Sequence, residues 1–338
     1  MDGRLERHTI GRYPLVTLHE ARSATLAMLR NAAAGVEPRK PAAAPVVSLN
    51  FAGMVELYTE RHLKPNARSW KNISRALNHP SLRRLRSRPI ETVTKREIIE
   101  VIDGIMGNGK PQSAVNLLRY LKMVFNWAVD RDLLEVNPCE RIRPPAKTNE
   151  RDRVLSDPEI AAVWDATFQL PTPYGEMYRI FFLTGQRRSE VSTMRWSEIV
   201  GDLWTIPRER VKKDRPHTVP LSATAQRILT ELAGLPRFED DGFVFSTTGG
   251  KSASSNFAKV KRQLDQLSDT NGWTIHDIRR TVRSKLAELG VPREVARKVL
   301  NHEDGKVDRI YNRHEYLAEK REALERWEKI LISSIQRG

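Results

Sequence analysis

Leu300-Asn301-His302, followed by Val307-Asp308-Arg309-Ile310-Tyr311-Asn312-Arg313-His314, is the stretch that organises the reading of this chain. A tyrosine nine residues after a histidine means little alone. Two earlier stretches give it weight: His276-Asp277-Ile278-Arg279, and Leu183-Thr184-Gly185-Gln186-Arg187-Arg188-Ser189-Glu190. Arginines, histidines and a late tyrosine form a set that could grip a phosphodiester and attack it without a metal. Spread over residues 187 to 311, the set works only if the fold gathers it on one phosphate.

Composition bears on the partner. With 57 Lys plus Arg against 42 Asp plus Glu, the formal charge is +15. That excess favours a polyanion, through phosphate neutralisation and counterion release. At 338 residues and 39% hydrophobic, the chain is globular and long enough for two domains. No long apolar run, lipidation signal or signal peptide points to a membrane. The single cysteine, Cys139, excludes an intramolecular disulfide and a Cys-rich zinc site. A reducing cytoplasm is the expected compartment.

Residues 1–45 hold Gly11-Arg12-Tyr13-Pro14 and a predicted helix from Leu18, with Gly35 as its C-cap and an Ala/Pro-rich linker to Pro45. This opening is too short for its own core and reads as the tail of a small domain. Residues 46–143 are helical in pattern, with Leu117, Leu118, Leu121, Val124, Phe125 and Ala128 at helical spacing. Within them, residues 61–90 carry nine Lys or Arg and no Asp or Glu. A face kept only for solubility would mix signs, so Arg68, Lys71, Arg75, Arg83, Arg84 and Arg86 are expected to face DNA.

Arg143-Pro144-Pro145 opens a linker over residues 144–152, and a second domain follows over 153–338. Ser156-Asp157-Pro158-Glu159 predicts a capped helix start. Leu203 to Pro207 and His217 to Leu221 read as strands of a hairpin around Lys212-Lys213-Asp214-Arg215-Pro216. Gly242 to Phe245 reads as a further short strand, and Thr274 caps a helix that Gly290 ends. The segment from Glu315 is amphipathic, with Leu317, Leu324, Trp327 and Leu331 on or near one face. The expected fold is mainly α with a small antiparallel sheet.

Ile275, Ile278, Val282, Leu286 and Leu289 form the buried stripe of the Thr274-capped helix, and His276 and Arg279 lie together at its margin. Arg187 follows a glycine turn at a helix entry, where a guanidinium can offer parallel donors to phosphate oxygens. Glu190 can cap that helix or orient Arg187, and Arg188 is a rival for the phosphate. His302, Glu303, Asp304, Asp308 and His314 match no metal-ligand spacing, so no metal or other cofactor is expected.

Thr-Gly-x-Arg-x-x-Glu, a hairpin lysine, His-x-x-Arg, Leu-x-His and the tyrosine resemble the tyrosine recombinases, in wording closest to phage and genomic-island integrases. The resemblance spans residues 150–332, with a looser likeness over 46–143, and Gly11-Arg12-Tyr13-Pro14 is similar to the end of the family's arm-binding domain. It implies that Tyr311 forms a 3′-phosphotyrosyl link and that Arg187 and Arg279 bind the non-bridging oxygens. It implies that His276 and His302 complete the clamp and assist proton movement, and that Lys212 is the general acid for the leaving 5′-oxygen. The chemistry asks for these types: charge on equatorial oxygens needs cations, a phenol needs activation, and an alkoxide needs a proton.

Tyr316 and Lys213 are rivals to Tyr311 and Lys212; the spacing from His302 and from Pro220 favours the latter pair. Asn301 stands where glycine is common in the family, and Asn tolerates left-handed backbone. The resemblance implies a homo-tetramer on double-stranded attachment sites, with a directionality factor and a host DNA-bending protein as further partners. It also implies a bacterial cytoplasmic, nucleoid-associated setting, with the end after Tyr311 as an exchange or docking element. A silent DNA-binding regulator on the same scaffold is the alternative.

Overall fold

A computed structural model describes residues 9–11, 13–14, 16–33, 49–146, 152–211, 215–235, 241–302 and 314–335. The chain divides into two compact units, Met1–Glu150 and Arg151–Gly338.

In the first unit, α1 (Leu18–Ala33) buries none of its side chains. The core belongs to α2 (Phe51–Tyr58), α3 (Trp70–Leu77), α4 (Lys95–Gly107) and α5 (Pro111–Val129). Helix α2 runs on through a π-helical turn, Thr59–Leu63, to Asn66. Helix α5 is the centre, and the residues its sequence spaced at helical intervals, from Leu117 to Ala128, are buried. Phe51 packs against Phe125 with ring centroids 5.9 Å apart. Thr94 starts α4: Glu97 Oε2 accepts from the Thr94 backbone N–H at 2.9 Å, satisfying a donor the helix cannot.

The second unit is built around α7 (Tyr174–Thr184), in which every residue but Glu176 is buried. Around it lie α6 (Asp157–Ala166), α8 (Arg188–Ser192), α9 (Ala223–Ala233), α10 (Phe257–Leu267), α11 (Ile275–Glu288) and α12 (Arg293–Val299). The sheet has order β1-β2-β3, from Ile199–Val200, Leu203–Ile206 and His217–Pro220, all antiparallel. Its register pairs Leu203 with Pro220 and Ile206 with His217, as the hairpin reading requires. The mainly helical fold with its small antiparallel sheet is as the sequence predicts.

Residues 242–245 are not a strand. Phe243 makes one bridge with Arg195, and the segment's backbone bonds go to separate places: Phe243 N to Gly250 O, Val244 N to Met194 O, and Ser254 N to Phe245 O. With no continuous partner, the apolar run cannot extend a ladder.

The last helix, α13 (Leu317–Ile335), is docked on its own unit. Leu324, Trp327 and Leu331 are buried in the core, and the Trp327 indole N–H donates to Phe182 O at 2.8 Å. Polar ties run along the sheet. Arg321 pairs with Asp202, Lys320 Nζ donates to Thr218 O at 2.6 Å, and Glu328 accepts from Ser222 Oγ at 2.8 Å and Thr224 N at 2.7 Å. Among the described residues, no helix is long and apolar enough to cross a membrane.

Candidate active site

The turn between α7 and α8 sets the site's geometry. Gly185 ends α7 at φ +63°, and an added Cβ would lie 2.8 Å from Leu300 Cδ2 and 3.0 Å from Val282 Cγ1. Left-handed backbone and close packing both demand glycine there. Arg187 then enters α8, and Glu190, only 1% exposed, takes both roles the sequence allowed it. Its Oε2 accepts from Arg187 N at 2.9 Å and its Oε1 from Arg187 Nη1 at 2.8 Å. The rival Arg188 instead lies over the Phe257 ring, 5.1 Å from its centroid.

Both arginines converge on the end of α12. A helix terminus leaves its last carbonyls without intrahelical donors, and their dipoles favour cations. Arg279, 4% exposed, donates Nη1 to Gly185 O at 2.9 Å and Nη2 to Leu300 O. Arg187 donates Nη2 to Asn301 O at 3.3 Å. Asn301 holds φ +48°, the left-handed turn expected of it, and His302 follows. Burial, then repulsion from Arg187, pulls the Arg279 guanidinium down to about 9, so it is charged at neutral pH.

Both predicted histidines sit in the field of these arginines. Burial, then Arg279, Arg187, Arg283 and Arg297, hold His302 at about 4. Partial desolvation, then Arg279 and Arg280, lowers His276 from its ordinary value. Arg187, His276, Arg279 and His302 thus form one electropositive cluster. Lys212 and Tyr311 lie outside the described residues. Tyr316 is partly buried against the core, with its hydroxyl donating to Glu294 at 2.8 Å.

Beside His302 opens a cleft of about 80 Å³, lined by Arg215, His217, Lys298, Asn301, His314, Glu315 and Lys320 among others. Lys320 is 4% exposed, and burial draws it down to about 8. Sequence reasoning passed over Lys320, although it falls on the stripe of Leu324, Trp327 and Leu331, where a lysine is out of place. It also passed over buried Gln186, inside a motif already quoted, and buried His217, on the inward face of β3. In the first unit, Arg68, Lys71, Arg75, Arg83, Arg84 and Arg86 are all exposed. Lys64 and Lys71 flank the Trp70 ring at 5.2 and 5.6 Å from its centroid.

The second unit thus brings Arg187 and Arg279 to the carbonyls at the end of α12, beside His302, with His276 in their field. The phage integrase family model matches residues 153–317, and the phage integrase central domain matches residues 51–145. The chain is 23% identical to the integrase of Shigella phage Sf6, over 97% of this chain and 87% of that protein. It is 22% identical to prophage integrase IntS of Escherichia coli K12, over 99% and 89%. With prophage integrase IntA of the same strain it shares 25% identity, spanning 70% of this chain and 59% of IntA. In fold it resembles a lambda integrase tetramer bound to a Holliday junction (TM-score 0.62, 19% identity, 86% of this chain and 89% of that chain). It also resembles the Tn1549 transposon integrase in complex with circular intermediate DNA (TM-score 0.55, 17% identity, 77% and 95%). The chain belongs to the phage integrase family and is a site-specific recombinase of the tyrosine class.

Proposed function

We propose that this recombinase integrates and excises a phage or genomic island, cutting each strand through a 3′-phosphotyrosyl intermediate. Residues 46–143 would read the core site, with Arg68, Lys71, Arg75, Arg83, Arg84 and Arg86 on phosphates. Residues 153–338 carry the chemistry, 144–152 link the two, and 1–45 belong to an arm-binding domain and its linker.

In this reading Arg187 and Arg279 bind the non-bridging oxygens of the scissile phosphate. The hydroxyl of Tyr311 attacks phosphorus, the bond to the 5′-oxygen breaks, and Lys212 supplies the proton that oxygen needs. His302, held at about 4 by burial and the arginines, is neutral at pH 7, and with His276 it can accept or share the phenolic proton. Attack by the 5′-hydroxyl of a second strand reverses the step, so the bond energy is kept and neither ATP nor metal is needed.

The observation that carries this reading is the cleft. Arg215 and His314 stand three residues after Lys212 and Tyr311 in the sequence, and both line it together with His302. Four protomers on two double-stranded attachment sites are the expected assembly, in a bacterial cytoplasm at the nucleoid. A directionality factor and a host DNA-bending protein would assist.

Recombination between two plasmid-borne attachment sites, run without ATP and with excess EDTA, tests the proposal. Exchange with the wild type and none with Tyr311→Phe is expected. Binding without exchange by both would mark a silent regulator, and exchange that EDTA abolishes would mark a metal-dependent enzyme.

A further inference from the structure

Helix α12 ends in consecutive carbonyls at Val299, Leu300 and Asn301, and each accepts from a different side chain. Leu300 O takes Arg279 and Asn301 O takes Arg187. Val299 O takes two donors, Gln186 Nε2 at 2.8 Å and His217 Nε2 at 3.2 Å. Neither donor belongs to the arginine clamp. Both hold the carbonyl immediately before those on which the arginines rest.

We propose that Gln186 and His217 are positioning residues for Arg187 and Arg279, acting through the carbonyl of Val299; this rests on reading those arginines as the phosphate-binding pair. Gln186 is 2% exposed, and the same Nε2 also donates to Thr184 O at 2.8 Å. It therefore joins the end of α7 to the end of α12 across the Gly185 turn, where Arg279 spans the same gap through Gly185 O and Leu300 O. His217 is 6% exposed and extends the brace to strand β3. Val299 O can only accept, so His217 Nε2 carries the hydrogen.

A carbonyl has two lone pairs, and here both are taken, which fixes the direction of the peptide as well as its position. Removing one donor frees the end of α12 to tilt, and the guanidiniums hydrogen-bonded to the next two carbonyls tilt with it. The defect should therefore appear in the charge-neutralising step and not in DNA affinity, which the many phosphate contacts elsewhere dominate.

The test uses the full chain on a suicide DNA substrate, with an ordinary phosphate or a methylphosphonate at the scissile position. The methylphosphonate removes the charge that well-placed guanidiniums would neutralise. Variants are Gln186→Leu, His217→Leu, His217→Asn and His217→Gln. Gln can place its amide nitrogen near the position of imidazole Nε2, whereas the shorter Asn cannot. On ordinary DNA, Gln186→Leu, His217→Leu and His217→Asn should each cut about 10-fold more slowly with DNA affinity kept, the cost of one buried hydrogen bond. His217→Gln should stay within about 3-fold of the wild type. On the methylphosphonate the deficits should shrink to about 3-fold or less. Should His217→Leu fail to fold, the Asn and Gln pair, checked by thermal melting, carries the comparison. Unchanged cutting in the Leu and Asn variants would overturn the proposal, as would an equal deficit on both substrates. A wild-type protein that leaves the ordinary phosphate uncut would instead refute the recombinase reading beneath it.

Discussion

Arg279 donates Nη1 and Nη2 to two carbonyls from different helices, Gly185 O and Leu300 O, while 4% exposed. Its plane is therefore set before any DNA arrives, which is what electrostatic preorganisation requires. A lysine carries the charge on one nitrogen and cannot span both carbonyls in that plane. Arg279→Lys should lower single-turnover cleavage by about 100- to 1,000-fold, with band-shift affinity nearly unchanged. A variant that cuts normally would mean charge alone suffices. His217 gives a second test. Burial, then Lys320, pushes its pKa from 6.5 to about 3, so the unfolded chain binds the proton more tightly than the folded one. The stabilising difference is full above pH 6.5 and is lost as pH falls toward 3. Moving from neutral pH to about pH 5 should cost about 2 kcal/mol through this group. Urea unfolding at the two pH values should show a smaller acid loss in His217→Gln than in the wild type. Equal losses would show that His217 does not stay neutral in the fold.

At the scale of elements, α13 is the part whose role most needed the structure. An amphipathic face announces that something covers it, not what. Here the cover is the unit's own core, around Phe182. Trp327→Ala should therefore cost about 3–5 kcal/mol, read as a lowered melting temperature for the second unit. A helix used only for exchange between protomers would lose no monomer stability. Helix starts were legible because caps are local: Ser156 and Thr274 each meet an acidic side chain three residues on. The Leu117 to Ala128 stripe was legible for the same reason, since its spacing is a property of the segment alone. Residues 242–245 were not, because strand status depends on a distant partner that this segment lacks. His217 and Gln186 were hidden likewise, as their partner, Val299 O, lies 82 and 113 residues away. The left-handed turn at Asn301 could be foreseen, whereas its carbonyl's bond to Arg187 could not.

For the whole molecule, the +15 charge and the nine cations over residues 61–90 make DNA binding salt-dependent. Replacing Arg83, Arg84 and Arg86 by Ala should reduce the slope of log affinity against log salt by about 2–3, if each meets one phosphate. An unchanged slope would place the DNA on another face. The family was legible because its motifs mark both partners in a transfer, the anion grip and the nucleophile. The central claim is that the grip of Arg187 and Arg279 serves the phenol of Tyr311. The most direct measurement is to trap the chain on a nicked suicide substrate, digest the complex and find the residue that carries the 3′-phosphate. The DNA should be found on Tyr311, with no adduct in Tyr311→Phe. An adduct on Tyr316, or one that survives Tyr311→Phe, would contradict it.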